Sequence, residues 1–251
     1  MNKVFEHYRG NEQFAARVLD WMEQCERRYR CVITPFLTPQ ELSIAKCIVG
    51  KRLFLFEDGG YAQAERKRLM MAPFELTQEQ LSITCLRASY QPRQRILTHR
   101  DVLGALTGLG IARDQLGDLL VEQECITVFV RSELSELIMR ECTMIGRCSI
   151  SFYEYAGEIQ FEQQLVTHTA SISSMRLDAV VSACIHSSRA KAQTLIQGKC
   201  VKVNQIPLED CRYLCNNNCT VSIRGFGRFQ ISATGRISRK GKIVIEIGTY
   251  Q

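Results

Sequence analysis

The chain has 251 residues, 45% of them hydrophobic and 23% charged, and a formal charge of +6. These are ordinary globular values, enough for two or three modest domains, and they exclude the disordered and collagen-like classes. The charge is unevenly placed: from Met175 onward 12 Lys and Arg face 4 Asp and Glu, a net +8, while the rest carries −2. A basic last third on a near-neutral body points to nucleic acid or an anionic surface.

The opening "MNKVFEHYRGNEQF" lacks the apolar stretch of a secretory signal, and apolar runs stay short, as in "LFLF" at 53–56, so no membrane span is expected. Twelve cysteines are scattered, many at apolar positions such as Cys47, Cys85 and Cys148. They are expected to be buried free thiols in a reducing cytoplasm.

Residues 1–30 read as a helix with Phe14, Val18, Trp21, Met22 and Cys25 at amphipathic spacing. A short strand in "RCVITPF" precedes a helix over 39–49, announced by a Thr38–Glu41 capping box and Pro39 at the first helical position. "KRLFLFED" reads as a strand stopped by Gly59-Gly60, after which "GGYAQAERKRLMMAP" is expected to start a new helix. The cluster Glu65-Arg66-Lys67-Arg68 would lie on its surface, either as a solvated face or as a secondary RNA contact through Arg66, Lys67 and Arg68.

Next come a strand in "LSITCLRASY", a helix capped by Thr98 and Asp101, and two strands around a tight Gln123-Glu124 connection. A helix with Ser132 as its N-cap and a last strand in "GRCSISFYEY" complete the series. The order β-α-β-β-α-β is that of ferredoxin-like folds and of RNA-recognition-motif domains, although the aromatic RNA-stacking signature of the latter is missing. Residues 156–174 turn Thr/Ser-rich and are taken as a domain boundary.

In "RLDAVVSACIHSSRAKAQTLIQGKCVKVN", Leu177, Val180, Val181 and Cys184 form one helical stripe. Ser187 or Ser188 can cap a second helix that buries Ala192, Leu195 and Ile196 and stops at Gly198. Val201 and Val203 then point inward, and Asn204-Gln205 make a turn. Arg176, Arg189, Lys191, Lys199 and Lys202 are left on surfaces that the apolar pattern does not claim, a layout suited to an RNA backbone with salt-dependent affinity. The competing role for Arg176 is a salt bridge to Asp178 at the helix start.

Arg176-Leu177-Asp178, Ser188-Arg189-x-x-Ala192, and Ile196, Gly198, Val201, Val203 and Asn204 together resemble the αL RNA-binding domain named after ribosomal small-subunit protein four. One residue is added after Gly198, and the family's later acidic-glycine turn is replaced by Asn216-Asn217-Asn218. "VSIRGFGRF" at 221–229 resembles the domain's closing strand with a basic, glycine-lined extension. "GGYAQAERKR" at 59–68, "HRDVLGALTGLGI" at 99–111 and "RGFGRF" at 224–229 resemble the bacterial YlmH family over nearly the whole chain.

The resemblance implies an α+β chain: an N-terminal α/β domain over 1–80, a central ferredoxin-like (RRM-like) βαββαβ domain over 81–165 and a C-terminal αL RNA-binding domain over 175–251. It implies a cytoplasmic, non-enzymatic protein, a monomer off the ribosome, with ribosomal RNA, tRNA and the large ribosomal subunit carrying peptidyl-tRNA as partners. Neither cofactor, metal nor membrane is implied. Carried over residue by residue, Arg176, Ser187, Ser188 and Arg189 lie at the RNA interface, where guanidinium groups, hydroxyls and helix-start N–H groups would take phosphate oxygens. Lys191, Gln193, Lys199, Lys202, Asn204, Arg224 and Arg228 complete the candidate set. The alternatives are an RNA-modification enzyme or its accessory factor, and a cell-division scaffold.

Other motifs carry little chemistry. Cys211-x3-Cys215-x3-Cys219 has the spacing of a radical S-adenosylmethionine cluster, but it crosses a turn with no barrel downstream. "HRD" at 99–101 lacks the rest of a kinase signature, and His7, His99, His168 and His186 are dispersed.

Overall fold

Apolar side chains three and four residues apart make α1 (Glu12–Arg28) an amphipathic helix that buries Phe14, Ala15, Val18, Met22 and Cys25. Glu12 in its first turn and Arg27 and Arg28 in its last complement the helix dipole, and Tyr29 ends it in the left-handed region at φ 46°. In this computed structural model the described residues are 11–76, 81–91, 96–159 and 165–250. The first ten residues of the expected opening helix, with His7, lie outside them.

After β1 (Val32–Ile33), the Thr38 hydroxyl accepts from the Glu41 N–H while the Glu41 carboxylate accepts from the Thr38 N–H, the expected box at the start of α2 (Pro39–Val49). Strands β2 (Phe54–Asp58) and β3 (Arg68–Ala72) follow, and the antiparallel sheet runs β1-β3-β2.

The helix expected after Gly59 is therefore corrected to a loop and a central strand. Leu69 to Ala72 are all buried, as in a strand covered on both faces. The loop is held by carboxylates: Asp58 accepts from the N–H groups of Gly59 and Gly60, and Asp118 accepts from those of Glu65 and Arg66 and from the Tyr61 hydroxyl.

The middle of the chain builds β4 (Ile83–Ser89), α3 (His99–Gly108), β5 (Leu116–Val121), β6 (Cys125–Arg131) and α4 (Ser135–Glu141). A β7 (Met144–Ile145) and β8 (Cys148–Ser149) hairpin and the short β9 (Tyr153–Glu154) end it. The antiparallel sheet runs β5-β6-β4-β9, which is strand order 2-3-1-4 of a ferredoxin-like βαββαβ fold. Val102, Leu106 and Ile138 from the helices share a core with Leu86, Ala88, Ile126, Val128 and Val130.

Two local expectations change. Ser132 opens a 3-10 turn, its carbonyl accepting from the Ser135 hydroxyl, so α4 starts three residues later without a side-chain cap. "GRCSISFYEY" breaks into the two-residue strands β8 and β9.

Residues Met1–Phe161 form one compact unit and Glu162–Gln251 a second. The second contains β10 (Leu165–Ile172), α5 (Leu177–Cys184), α6 (Arg189–Gln197), β11 (Val201–Val203) and β12 (Ile206–Pro207). It continues through β13 (Cys219–Ile223), β14 (Gly227–Ile237) and β15 (Ile243–Tyr250). Its antiparallel sheet runs β10-β15-β14-β13-β11-β12. Much of the segment taken as a boundary is thus an edge strand, paired over eight positions with β15. "VSIRGFGRF" is a hairpin of β13 and β14 rather than a closing strand. The α+β class stands throughout. Among the described residues no helix is long and apolar enough to cross a membrane.

Candidate nucleic-acid interface

The N-terminus of α5 is tied to the 211–215 segment. The N–H groups of Leu177 and Asp178 donate to the carbonyls of Tyr213 and Cys211, and Cys215 donates to Met175. The helix-start donors of α5 are therefore occupied within the protein.

Asp178 is buried, its side chain 1% exposed, and three candidate RNA residues converge on it. Its Oδ1 accepts from Arg189 at 2.8 Å and Arg176 Nε at 3.3 Å; its Oδ2 accepts from Arg176 and Gln193 at 3.2 Å each. Arg176 and Arg189 nevertheless keep 35% and 48% of their side chains exposed. The expected competitor, the Arg176–Asp178 salt bridge, is present, and it anchors the guanidinium without removing it from the surface. One carboxylate fixes two guanidinium groups and an amide from two helices.

Burial alone would raise the Asp178 carboxyl, but hydrogen bonds from Arg189, Gln193 and Arg176 outweigh it and bring it to about 2. A depressed folded-state value stabilises above the unfolded value near 4 and is lost as pH falls through about 2. Urea titration of the C-terminal unit is expected to show about 2 kcal/mol lost across that acid window, with Asp178→Asn abolishing this component. An equally steep window in Asp178→Asn would show that another carboxylate is responsible.

The remaining candidates divide. Ser188 caps α6 by accepting from the Lys191 N–H, and the Ser187 carbonyl accepts from the Ser182 hydroxyl. Lys191 lies over the Phe226 ring at 5.6 Å. Lys199 pairs with Glu209 at 3.2 Å, both well exposed, a weak bond. Asn204 accepts from the Thr220 N–H and sits at φ 47° in a two-residue turn, so its side chain serves the hairpin rather than a ligand. Arg224 is exposed at the β13–β14 turn. Lys202 pairs across the sheet with Ser222, and Ser222 with Arg228. These three share the sheet face opposite Val203, Val221 and Phe229, which are buried in the core with α5 and α6. The structure thus groups Arg176, Arg189, Gln193 and Lys191 on the helical side and sets Lys202 and Arg228 on the other.

The secondary contact is corrected. Arg66 donates to the carbonyls of Leu116 and Phe36, and Lys67 pairs with Glu57 at 3.3 Å. Arg68 is 3% exposed, donates to the carbonyls of Thr34, Leu81 and Ser82, and is lowered to about 10 by burial and Arg131. These cations bind strands together. The open sheet face that RNA-recognition motifs use is also partly covered, since Tyr61 stacks on buried Phe129 at 4.8 Å.

A family model described as "YlmH, N-terminal" matches residues 10–76, and "Putative RNA-binding domain in YlmH" matches 77–158. The two run consecutively over more than half of the sequence. The chain belongs to the YlmH family.

A third model, "S4 domain", matches residues 175–216, the stretch containing the Asp178 cluster. A Bacillus subtilis (strain 168) protein named "Ribosome-associated protein quality control protein P2" is 29% identical over 254 residues, spanning 96% of each chain. The solved structure named "Cell division protein ylmH from Streptococcus pneumoniae" has a TM-score of 0.51 and 25% identity, covering 58% of this chain and 91% of that one. The domain matches support RNA binding as the coarse role of this YlmH-family chain.

Two features escaped the sequence reading. One is the exposed hairpin turn bearing Arg239, Lys240 and Lys242, signalled only by cations around Gly241. The other is Phe226, 41% exposed between Arg224 and Arg228. Among the described residues no group of three or more His, Cys, Asp or Glu is placed to hold a metal ion, and Cys215 and Cys219 are core residues.

Proposed function

We propose that this protein is a non-enzymatic RNA-binding protein of the cytoplasm that grips structured ribosomal RNA and tRNA on the ribosome. Its target would be the large subunit carrying peptidyl-tRNA during quality control, and off the ribosome it would be a monomer. The observation that carries this reading is the Asp178 cluster: a buried carboxylate holds Arg176 and Arg189 half-exposed on a domain of net charge +8 from Met175 onward. Preset guanidinium forks suit phosphate oxygens, and recognition would be of backbone and shape. The name of the Bacillus relative supports the ribosomal setting.

The test is co-sedimentation of the full chain with purified large ribosomal subunits at several salt concentrations. Binding should weaken steeply as salt rises, and Arg224→Ala should reduce the log–log slope by about one unit, as for one lost phosphate contact. A folded protein that ignores the subunits even in dilute buffer would end this reading. A scaffold role in cell division, the process for which the Streptococcus protein is named, predicts that result.

A further inference from the structure

The β13–β14 turn, Arg224-Gly225-Phe226-Gly227, has a feature that phosphate binding leaves unexplained. Phe226 is a large apolar side chain left 41% exposed on a strongly cationic surface. Gly225 and Gly227 on either side adopt φ +85° and +109°, and added Cβ atoms there would meet nothing within 4 Å. The backbone turn is fixed, with the Phe226 N–H donating to the Ile223 carbonyl at 3.0 Å. Lys191, from the first turn of α6, puts its ammonium 5.6 Å from the ring centroid. A planar ring is thus carried on a hydrogen-bonded turn, polarised by a cation, and bordered by residues without side chains.

The geometry points to Phe226 as a stacking platform for an unpaired nucleobase of RNA. This rests on the RNA-binding reading and deepens it, since phosphate contacts set affinity while a stacked base selects single-stranded positions within a folded RNA. Every base has a π-face, so the platform prefers loops and bulges over paired stems without demanding one base identity. Lys191 reinforces the arrangement by its cation–π contact and by neutralising the adjoining phosphate.

The test uses the full chain and two fluorescent RNA probes: a perfect duplex, and the same stem closed by a loop containing one 2-aminopurine. Wild type should bind the stem-loop about tenfold more tightly than the duplex, within the range known for one base–aromatic stack. It should also quench the 2-aminopurine. Phe226→Leu, which keeps apolar bulk, should lose both the preference and the quenching while binding the duplex as wild type does; Phe226→Trp should retain both. Loop preference and quenching preserved in Phe226→Leu would overturn the stacking role alone. Failure of the wild type to bind either RNA would overturn the RNA-binding reading and the stacking role with it.

Discussion

Arg176→Ala combined with Arg189→Ala is expected to destabilise the C-terminal unit by about 3–5 kcal/mol, besides abolishing RNA binding. The reason is the asymmetry of the cluster. Asp178 is 1% exposed, so losing both guanidinium groups leaves a carboxylate out of water with only Gln193 as a partner. The arginines, being 35% and 48% exposed, can rehydrate when the carboxylate is removed. Asp178→Asn alone should therefore cost only about 1–2 kcal/mol, while RNA affinity falls because the guanidinium groups lose their anchor. Adding Asp178→Asn to the double variant should recover most of the lost stability and none of the binding. Urea unfolding and subunit co-sedimentation of the four proteins separate these effects. A double variant as stable as wild type would contradict the burial of Asp178.

Gly60→Ala is expected to cost the first unit about 2–4 kcal/mol, from two sources. At φ +95° an L-residue is strained, by about 1–2 kcal/mol. An added Cβ would also stand 2.4 Å from the Phe129 ring, which is fully buried and stacked with Tyr61, so relief requires displacing a packed ring. Gly110→Ala, at φ +83° with open space around it, isolates the backbone share. Unfolding followed through Trp21 should rank Gly60→Ala well below Gly110→Ala. Equal losses would show that Phe129 does not press on this loop.

What could be read from sequence was what short-range chemistry decides. The boxes at Thr38–Glu41 and Thr98–Asp101 close within three residues and are present as expected. The α5–α6 pair is likewise set by its apolar stripes and Ser188. The strand Arg68–Ala72 was missed because its loop is held by Asp118, about fifty residues away, while Arg66 and Arg68 take distant carbonyls. Nothing near a four-residue charge run announces that its cations point inward. The same distance hid β10, whose partner is the last strand. In the candidate site the cations were legible as charges, whereas their common anchor was not: Asp178 was visible as a motif residue and as one possible partner, and only folding brings Arg189 and Gln193 to it.

The pairing of β10 with β15 also has a consequence in time. It joins residues nearly eighty positions apart, and Ile172, Ile245 and Ile247 belong to the same core as Leu177 and Ile196. During synthesis the first 161 residues can collapse on their own contacts, while the second unit must wait for its final strand to emerge. The αL helices can form early as a local motif and pack on β11, β13 and β14, but their sheet and shared core are complete only when that last strand docks. A nascent chain therefore carries the recognisable motif well before it carries the finished grip.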